Sequence, residues 1–254
     1  MTYHMIYGAP RSGTTALQGL ICASLGSGFM PESTYLTQIL ELYARNVDYP
    51  DATRYPYFFG ERQSARSMYG KYVELMIERI ATLQPADKPL VLKDPGVCKW
   101  LWAAQELMGD RFSFLGVVRD PADTIASMKR VRERSGVEWN IEAEAAEAYR
   151  YYDGIRAFQG ISESKNAVIR YEDLVDRDSK TVATVEDHIG ARLTFGAIDA
   201  EWLKQETPFH SQGYGKSFAR AFAGIGVSSL NRAELDYIQD AFAGLREYWG
   251  YERR

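Results

Sequence analysis

Four short apolar runs punctuate the chain, each stopped by a turn former or a polar residue and followed by a stretch whose apolar residues recur at helical spacing. The first is Tyr3 to Tyr7, which runs into Gly8 and Pro10. Beyond Thr14 and Thr15, Leu17, Leu20, Ile21 and Leu25 repeat with helical period until Gly26 and Gly28 end the pattern. That order is strand, glycine loop, helix. It returns at Leu90 to Lys93, closed by Pro95 and followed by helical residues to Met108, and at Phe112 to Val118, closed by Pro121 before another helix. A fourth run, Ala167 to Tyr171, precedes a helix beginning near Glu172. Apolar strands alternating with helices predict an α/β fold, a three-layer arrangement in which helices flank a parallel sheet on both faces. Ligands of such sheets sit off the carboxyl ends of the strands, and the polar signatures of this chain fall there.

Two segments break the alternation. Residues 47 to 72 are dense in aromatics and turn formers (Tyr49, Pro50, Tyr55, Pro56, Tyr57, Phe58, Phe59, Gly60), which fits either a cover over the site or an ordinary surface insertion. From Glu206 to Gly226 the chain carries Gly213, Gly215, Gly224 and Gly226 with His210, Ser211 and Lys216, a composition that predicts a mobile loop ahead of a final helix, Asn231 to Tyr248. With no internal repeat and no linker composition, residues 1–254 are expected to form one domain.

Composition narrows the function classes. Hydrophobic residues make up 46% of the 254 and charged residues 25%, which excludes a disordered or low-complexity chain. A formal net charge of -4 argues against nucleic acid as the main partner while leaving room for a local basic pocket. Cys22 and Cys98 are the only cysteines and form no CxxC pair, so neither a disulfide framework nor a structural zinc is expected, and a reducing cytoplasm is the default. No apolar run approaches 18 residues and the N-terminus has no signal-peptide pattern, so no membrane association is expected.

The chemistry starts at Gly8-Ala9-Pro10-Arg11-Ser12-Gly13-Thr14-Thr15. This has the glycine spacing of a nucleotide P-loop, between a strand and a helix as that motif requires. It departs from a nucleoside-triphosphatase loop in one respect: Thr14 stands where a lysine would reach the β and γ phosphates, and the cation, Arg11, lies inside the loop. Backbone amides and a helix N-terminus still suit an anion. A second signature, Val117-Val118-Arg119-Asp120-Pro121, ends the third strand with Asp120 as helix cap and Pro121 at the first helical position. Arg119 and Ser127 are spaced to converge on a second phosphate, with Lys129, Arg130, Arg132 and Arg134 beyond. A local Arg-Asp ion pair and a solvated basic helix face suit the same residues.

Together these signatures resemble the sulfotransferases that use 3′-phosphoadenosine 5′-phosphosulfate. The resemblance implies a P-loop nucleoside-triphosphatase-like fold. It implies that Pro10, Arg11, Ser12, Gly13, Thr14 and Thr15 hold the 5′-phosphosulfate, and that Arg119 and Ser127, eight residues apart, hold the 3′-phosphate. Leu92-Lys93-Asp94-Pro95 resembles the family's basic strand end, which places Lys93 at the transferring group. Tyr171-Glu172-Asp173-Leu174 matches a late turn, which implies Tyr171 near the adenosine. Ser211 and Lys216 align loosely with a closing loop. The four ordered motifs span residues 8 to 174.

Within the family, Asp94 and Pro95 replace the Thr-His of the cytosolic small-molecule branch, so no histidine base follows Lys93. The Lys-Asp-Pro pattern is closer to the tyrosylprotein sulfotransferases, which like the heparan enzymes draw their base from a glutamate after the P-loop helix. Glu32, 21 residues after Arg11, stands at the matching position; a dipole contact with the next helix is its bland alternative. His210 is the competing base; His4 and His188 read as a strand residue and a helix-face residue. In-line sulfuryl transfer needs positioning and charge stabilisation, so Arg11 and Lys93 suffice without a metal. The acceptor is expected to be a hydroxyl on a small molecule or peptide. A small-molecule or nucleotide kinase with an aberrant P-loop, and a non-catalytic nucleotide-binding module, remain as rivals.

Overall fold

The computed structural model describes residues 3–48, 50–85, 87–159, 166–196 and 226–252. Four parallel strands, β1 (Tyr3–Tyr7), β2 (Val91–Lys93), β3 (Phe112–Val118) and β4 (Asn166–Arg170), form one sheet in the order β2-β1-β3-β4. Register aligns their carboxyl ends: Ile6 pairs with Lys93 and with Leu115, Tyr7 with Gly116, and Val118 with Arg170. The end residues are Tyr7, Lys93, Val118 and Arg170. These lead respectively into the glycine loop, Asp94-Pro95, Arg119-Asp120 and Tyr171.

Helices cover both faces. Alternate side chains of a strand point to opposite faces, so Met5 and Tyr7 join one core while Ile6 joins the other. Against the first core pack α2 (Thr34–Asp48), α4 (Arg62–Ala81), α5 (Leu101–Met108), α6 (Pro121–Arg134) and α7 (Ile141–Gln159). Against the second pack α1 (Thr14–Leu25), α8 (Tyr171–Val175) and α9 (Ser179–Ile189). The expected three layers are therefore observed. All seven residues of β3 are buried, as an apolar run in a two-sided sheet must be. Cys22 and Cys98 are free and buried.

Within residues 47 to 72 a short helix α3 (Tyr55–Phe58) is followed by α4, which begins at Arg62. Their aromatics chiefly pack: Tyr55 stacks on Phe59, Phe59 on Tyr69, and Tyr69 on Tyr43 of α2, while Tyr57 and Phe58 remain exposed. The final helix is split into α10 (Arg232–Ala241) and α11 (Ala243–Tyr248), with Phe242 between them buried against Tyr149 and Tyr152 of α7. Asn231 caps α10 in a reciprocal capping box with Glu234. Among the described residues, no helix is long and apolar enough to cross a membrane.

Candidate active site

The glycine loop joins β1 to α1 through two left-handed residues, Arg11 (φ 72) and Gly13 (φ 104). That alternation turns successive backbone N–H groups into a concave nest suited to an anion at the N-terminus of α1, where no side chain among the described residues caps the helix. Neither flanking glycine tolerates a side chain. A Cβ on Gly8 would lie 2.4 Å from the Val117 carbonyl oxygen, and one on Gly13 would lie 2.3 Å from the Tyr171 ring. Ser12 is fully buried, and its Oγ has no hydrogen-bond partner among the described residues. An orphaned hydroxyl costs free energy unless a ligand completes it, so loop geometry and donor chemistry both fit a bound anion. Thr14 is buried at the first position of α1, with Pro10 and Thr15 half-buried beside it.

The β3 end reaches this loop directly. Arg119 Nη1 donates to the Arg11 carbonyl at 3.3 Å, and Arg11 Nε donates to Ser127 Oγ at 3.3 Å. Arg119 also lies over the Tyr171 ring, 5.0 Å from its centroid. Arg11, Arg119, Ser127, Tyr171 and Gly13 therefore form one cluster, although they come from three different strand ends. Burial raises the Tyr171 hydroxyl pKa above its usual value, which keeps it a neutral donor. The expected helix start holds: Pro121 opens α6 and Asp120 caps it, accepting from the Ala122 N–H at 2.9 Å. Of the basic run on α6, Lys129 pairs with Glu234 at 2.8 Å and Arg132 with Glu144 at 2.7 Å, so these two cations serve packing.

On the other side of the loop, Glu32 comes back to the sheet. Its backbone forms a parallel bridge with Lys93 at the outer edge of β2, and the Ser33 N–H donates to the Lys93 carbonyl at 3.0 Å. Lys93 Nζ donates to Glu32 Oε1 at 2.7 Å; the Lys93 side chain is 2% exposed and that of Glu32 51%. Gln18 on α1 makes the return possible, donating through Nε2 to the Met30 carbonyl at 3.0 Å and the Val91 carbonyl at 3.2 Å. Ser27 Oγ secures the start of the turn by donating to the Pro89 carbonyl at 2.8 Å. Asp94 accepts from Thr37 Oγ1 at 2.9 Å and from the Gly96 N–H at 2.7 Å, which fixes α2 to the strand end; burial raises its carboxyl pKa. Gln18 and Thr37 carry no motif signal, and only their places on α1 and α2 show what they do.

The histidines divide as expected where they can be seen. His4 lies in β1, buried, with Nδ1 2.7 Å from Ser113 Oγ, and burial is the main reason its pKa falls to about 4. His188 sits on α9 and is lowered to about 4 by burial. His210, Ser211 and Lys216 lie outside the described residues. Among the described residues, no group of three or more histidine, cysteine or acidic side chains is arranged to hold a metal.

Across the carboxyl edge of the sheet the order is therefore Glu32 and Lys93, the glycine loop, Arg119 with Ser127, and Tyr171. Three inter-strand steps separate β2 from β4, roughly 14 Å at ~4.8 Å each. Among curated protein sequences, none matches the chain. Solved structures match over nearly its whole length. The sulfotransferase domain of the Synechococcus PCC 7002 olefin synthase superimposes with a TM-score of 0.67 at 16% identity, covering 99% of this chain and 95% of that one. The sulfotransferase domain from the curacin biosynthetic pathway gives a TM-score of 0.57 at 17% identity, covering 100% and 99%. Mouse sulfotransferase SULT7A1, complexed with PAP, gives 0.51 at 12% identity, covering 97% and 85%. At these identities the likeness establishes the fold. The model of the sulfotransferase family itself matches residues 5–194, a span that contains the loop, Glu32, Lys93, Arg119, Ser127 and Tyr171, and so the chain belongs to the sulfotransferase family.

Proposed function

We propose that this sulfotransferase takes its sulfuryl group from 3′-phosphoadenosine 5′-phosphosulfate, laid across the strand ends, and passes it to a hydroxyl acceptor whose proton goes to Glu32. The observation that carries the proposal is the spatial order along the sheet edge. An anion-binding loop lies centrally, a cation and a carboxylate lie together on its β2 side, and a second basic and hydroxyl pair lies on its β3 side with an aromatic ring beyond. A triphosphate needs neither the Arg119–Ser127 pair nor a carboxylate held at Lys93. A 3′-phosphorylated nucleotide with a reactive 5′-anion uses both. The PAP in the mouse neighbour supports the same donor class.

The residues divide the work by position. Amides of residues 11 to 15 and the Ser12 hydroxyl meet the 5′-anion, while Arg119 and Ser127 meet the 3′-phosphate. Tyr171, packed on Gly13, offers its ring near the adenosine. Arg11 neutralises charge at the loop. An ammonium carries three N–H donors, so Lys93 can hold Glu32 with one and still stabilise charge on the sulfuryl and leaving oxygens with the others. Glu32 is half exposed and faces a hydroxyl arriving from solvent, for which it acts as general base. Tyr35, 76% exposed on the first turn of α2, stands three residues beyond it and is compatible with an aromatic acceptor. Residues 1–254 act as one unit on this account, in a small-molecule or peptide sulfation with no metal.

The test is a nucleotide panel read by thermal shift. Adenosine 3′,5′-bisphosphate without metal should stabilise the protein by about 2.7 kcal/mol at one hundred times its dissociation constant, well beyond 5′-AMP. Greater stabilisation by ATP with magnesium would contradict the proposal and restore the kinase alternative.

A further inference from the structure

Arg246 lies on α11, 126 residues from its partner, and no motif announces it. Its side chain is 4% exposed and Nη1 donates to Asp120 Oδ1 at 2.7 Å, with the Asp120 side chain 2% exposed. The same Oδ1 accepts the Ala122 N–H, so one buried oxygen both caps α6 and receives the guanidinium. Asp120 is anchored a second time through its backbone, whose N–H donates to Glu172 Oε1 at 3.0 Å, and Tyr251 OH donates to Glu172 Oε2 at 2.9 Å. Arg246 Nη2 reaches the Glu252 carbonyl. This closure depends on Gly250 (φ 70), which reverses the chain after α11 so that the Tyr251 N–H meets the Arg246 carbonyl and the Tyr251 ring stacks under Arg170.

We propose that Arg246 is a positioning residue for the second phosphate limb: by holding Asp120, it sets the joint from which Arg119 and Ser127 both project. The proposal rests on the donor assignment above. Arg119 immediately precedes Asp120, with its carbonyl held by Tyr152 OH at 2.6 Å. Ser127 stands six residues after Pro121, about 9 Å along the helix at 1.5 Å per residue. A tilt of α6 by about 10° at its cap therefore moves Ser127 by roughly 1.6 Å, more than a hydrogen bond to a phosphate oxygen survives. The glycine loop touches this limb through the Arg119–Arg11 carbonyl and Arg11–Ser127 contacts, but it is held as well by β1 and α1 and should shift less than Ser127 does. The loss should fall selectively on the 3′-phosphate.

Calorimetric titration of adenosine 3′,5′-bisphosphate and 5′-AMP into wild type, Arg246→Met and Arg246→Lys reads the ratio of the two affinities. Arg246→Met should cut that ratio about tenfold or more with 5′-AMP affinity changed less than threefold, and Arg246→Lys, which keeps a cation for Asp120, should recover part of it. A merely structural role would weaken both nucleotides alike and leave the ratio intact, and that result overturns the proposal. Should Arg246→Met not fold, Asp120→Asn keeps the cap oxygen and removes the charge that Arg246 meets. The same fall in ratio is expected there, and a folded Asp120→Asn with the wild-type ratio overturns the proposal equally. A wild type without preference for the bisphosphate overturns the donor assignment and this proposal with it; it is told apart from failure of the proposal alone, in which wild type prefers the bisphosphate and the variants keep that preference.

Discussion

Replacing Lys93 by methionine separates what this residue does for the fold from what it does for the reaction. Removing one member of a fully buried ion pair typically costs 3–5 kcal/mol, about the value at which a domain is threatened, because the other charge is stranded out of water. Here the stranded partner would be Glu32, whose side chain is 51% exposed, so water takes over its solvation. The pair then resembles exposed pairs worth about 0–1 kcal/mol, and methionine replaces the buried apolar stem of the lysine. A stability change within about 1 kcal/mol, or roughly 2–4 °C in Tm for a domain of this size, is expected by thermal melting. Turnover should respond quite differently. A fixed donor aimed at developing charge is worth roughly 10²–10³ in rate, about 2.7–4 kcal/mol. The assay is release of adenosine 3′,5′-bisphosphate in the presence of whichever phenol or alcohol of a panel the wild type sulfates, alongside calorimetric donor binding. Lys93→Met should lose at least a hundredfold in turnover, with a much smaller change in donor affinity and a near-native Tm. A folded variant with normal turnover would reduce Lys93 to an ion-pair partner of Glu32 and refute the argument.

Other outcomes follow from the same geometry. Gly13→Ala puts a Cβ 2.3 Å from the Tyr171 ring at φ 104, so nucleotide affinity should fall more than tenfold and stability by about 1–2 kcal/mol from the left-handed backbone alone; wild-type affinity in a titration would contradict the cradle. His4 is held at about 4 in the fold against roughly 6.5 when unfolded, so the unfolded chain takes up a proton first as pH falls. The contribution of His4 is therefore full above pH 6.5 and is lost toward pH 4, about 3 kcal/mol from this residue, and urea denaturation should show a flatter acid limb for His4→Asn; identical acid limbs would contradict the assignment.

The strands and their loops were legible in the sequence because each is a local event. Tyr3 to Tyr7 and Phe112 to Val118 are apolar runs ended by turn formers, and β1 and β3 begin and end at those residues. Asp120-Pro121 is likewise a cap and first-turn pair whose physics lies within three residues. Chain separation decides what stayed hidden. Gln18 shows in sequence only as a polar residue in an amphipathic helix, yet it staples Met30 to β2 and so carries Glu32 back to Lys93. Arg246 carries no signal in the sequence because periodicity assigns faces and not partners, and Asp120 lies 126 positions away. The basic run on α6 shows the converse: it invited a phosphate interpretation, but Lys129 and Arg132 are claimed by Glu234 and Glu144 from other helices. The break at Phe242 has the same origin, since burial against α7 overrides a helical pattern that continues through it.

The central claim is that Glu32, alone among 34 acidic residues, takes the acceptor proton beside a donor held by the glycine loop. Glu32→Gln keeps the size of the side chain and an oxygen for Lys93 but cannot accept a proton, so single-turnover sulfuryl transfer should slow by roughly a hundredfold to ten-thousandfold while calorimetric affinity for adenosine 3′,5′-bisphosphate stays at the wild-type value. Near-normal transfer by Glu32→Gln, together with collapse of transfer in His210→Ala, would contradict it and move the base to the segment between Glu206 and Gly226.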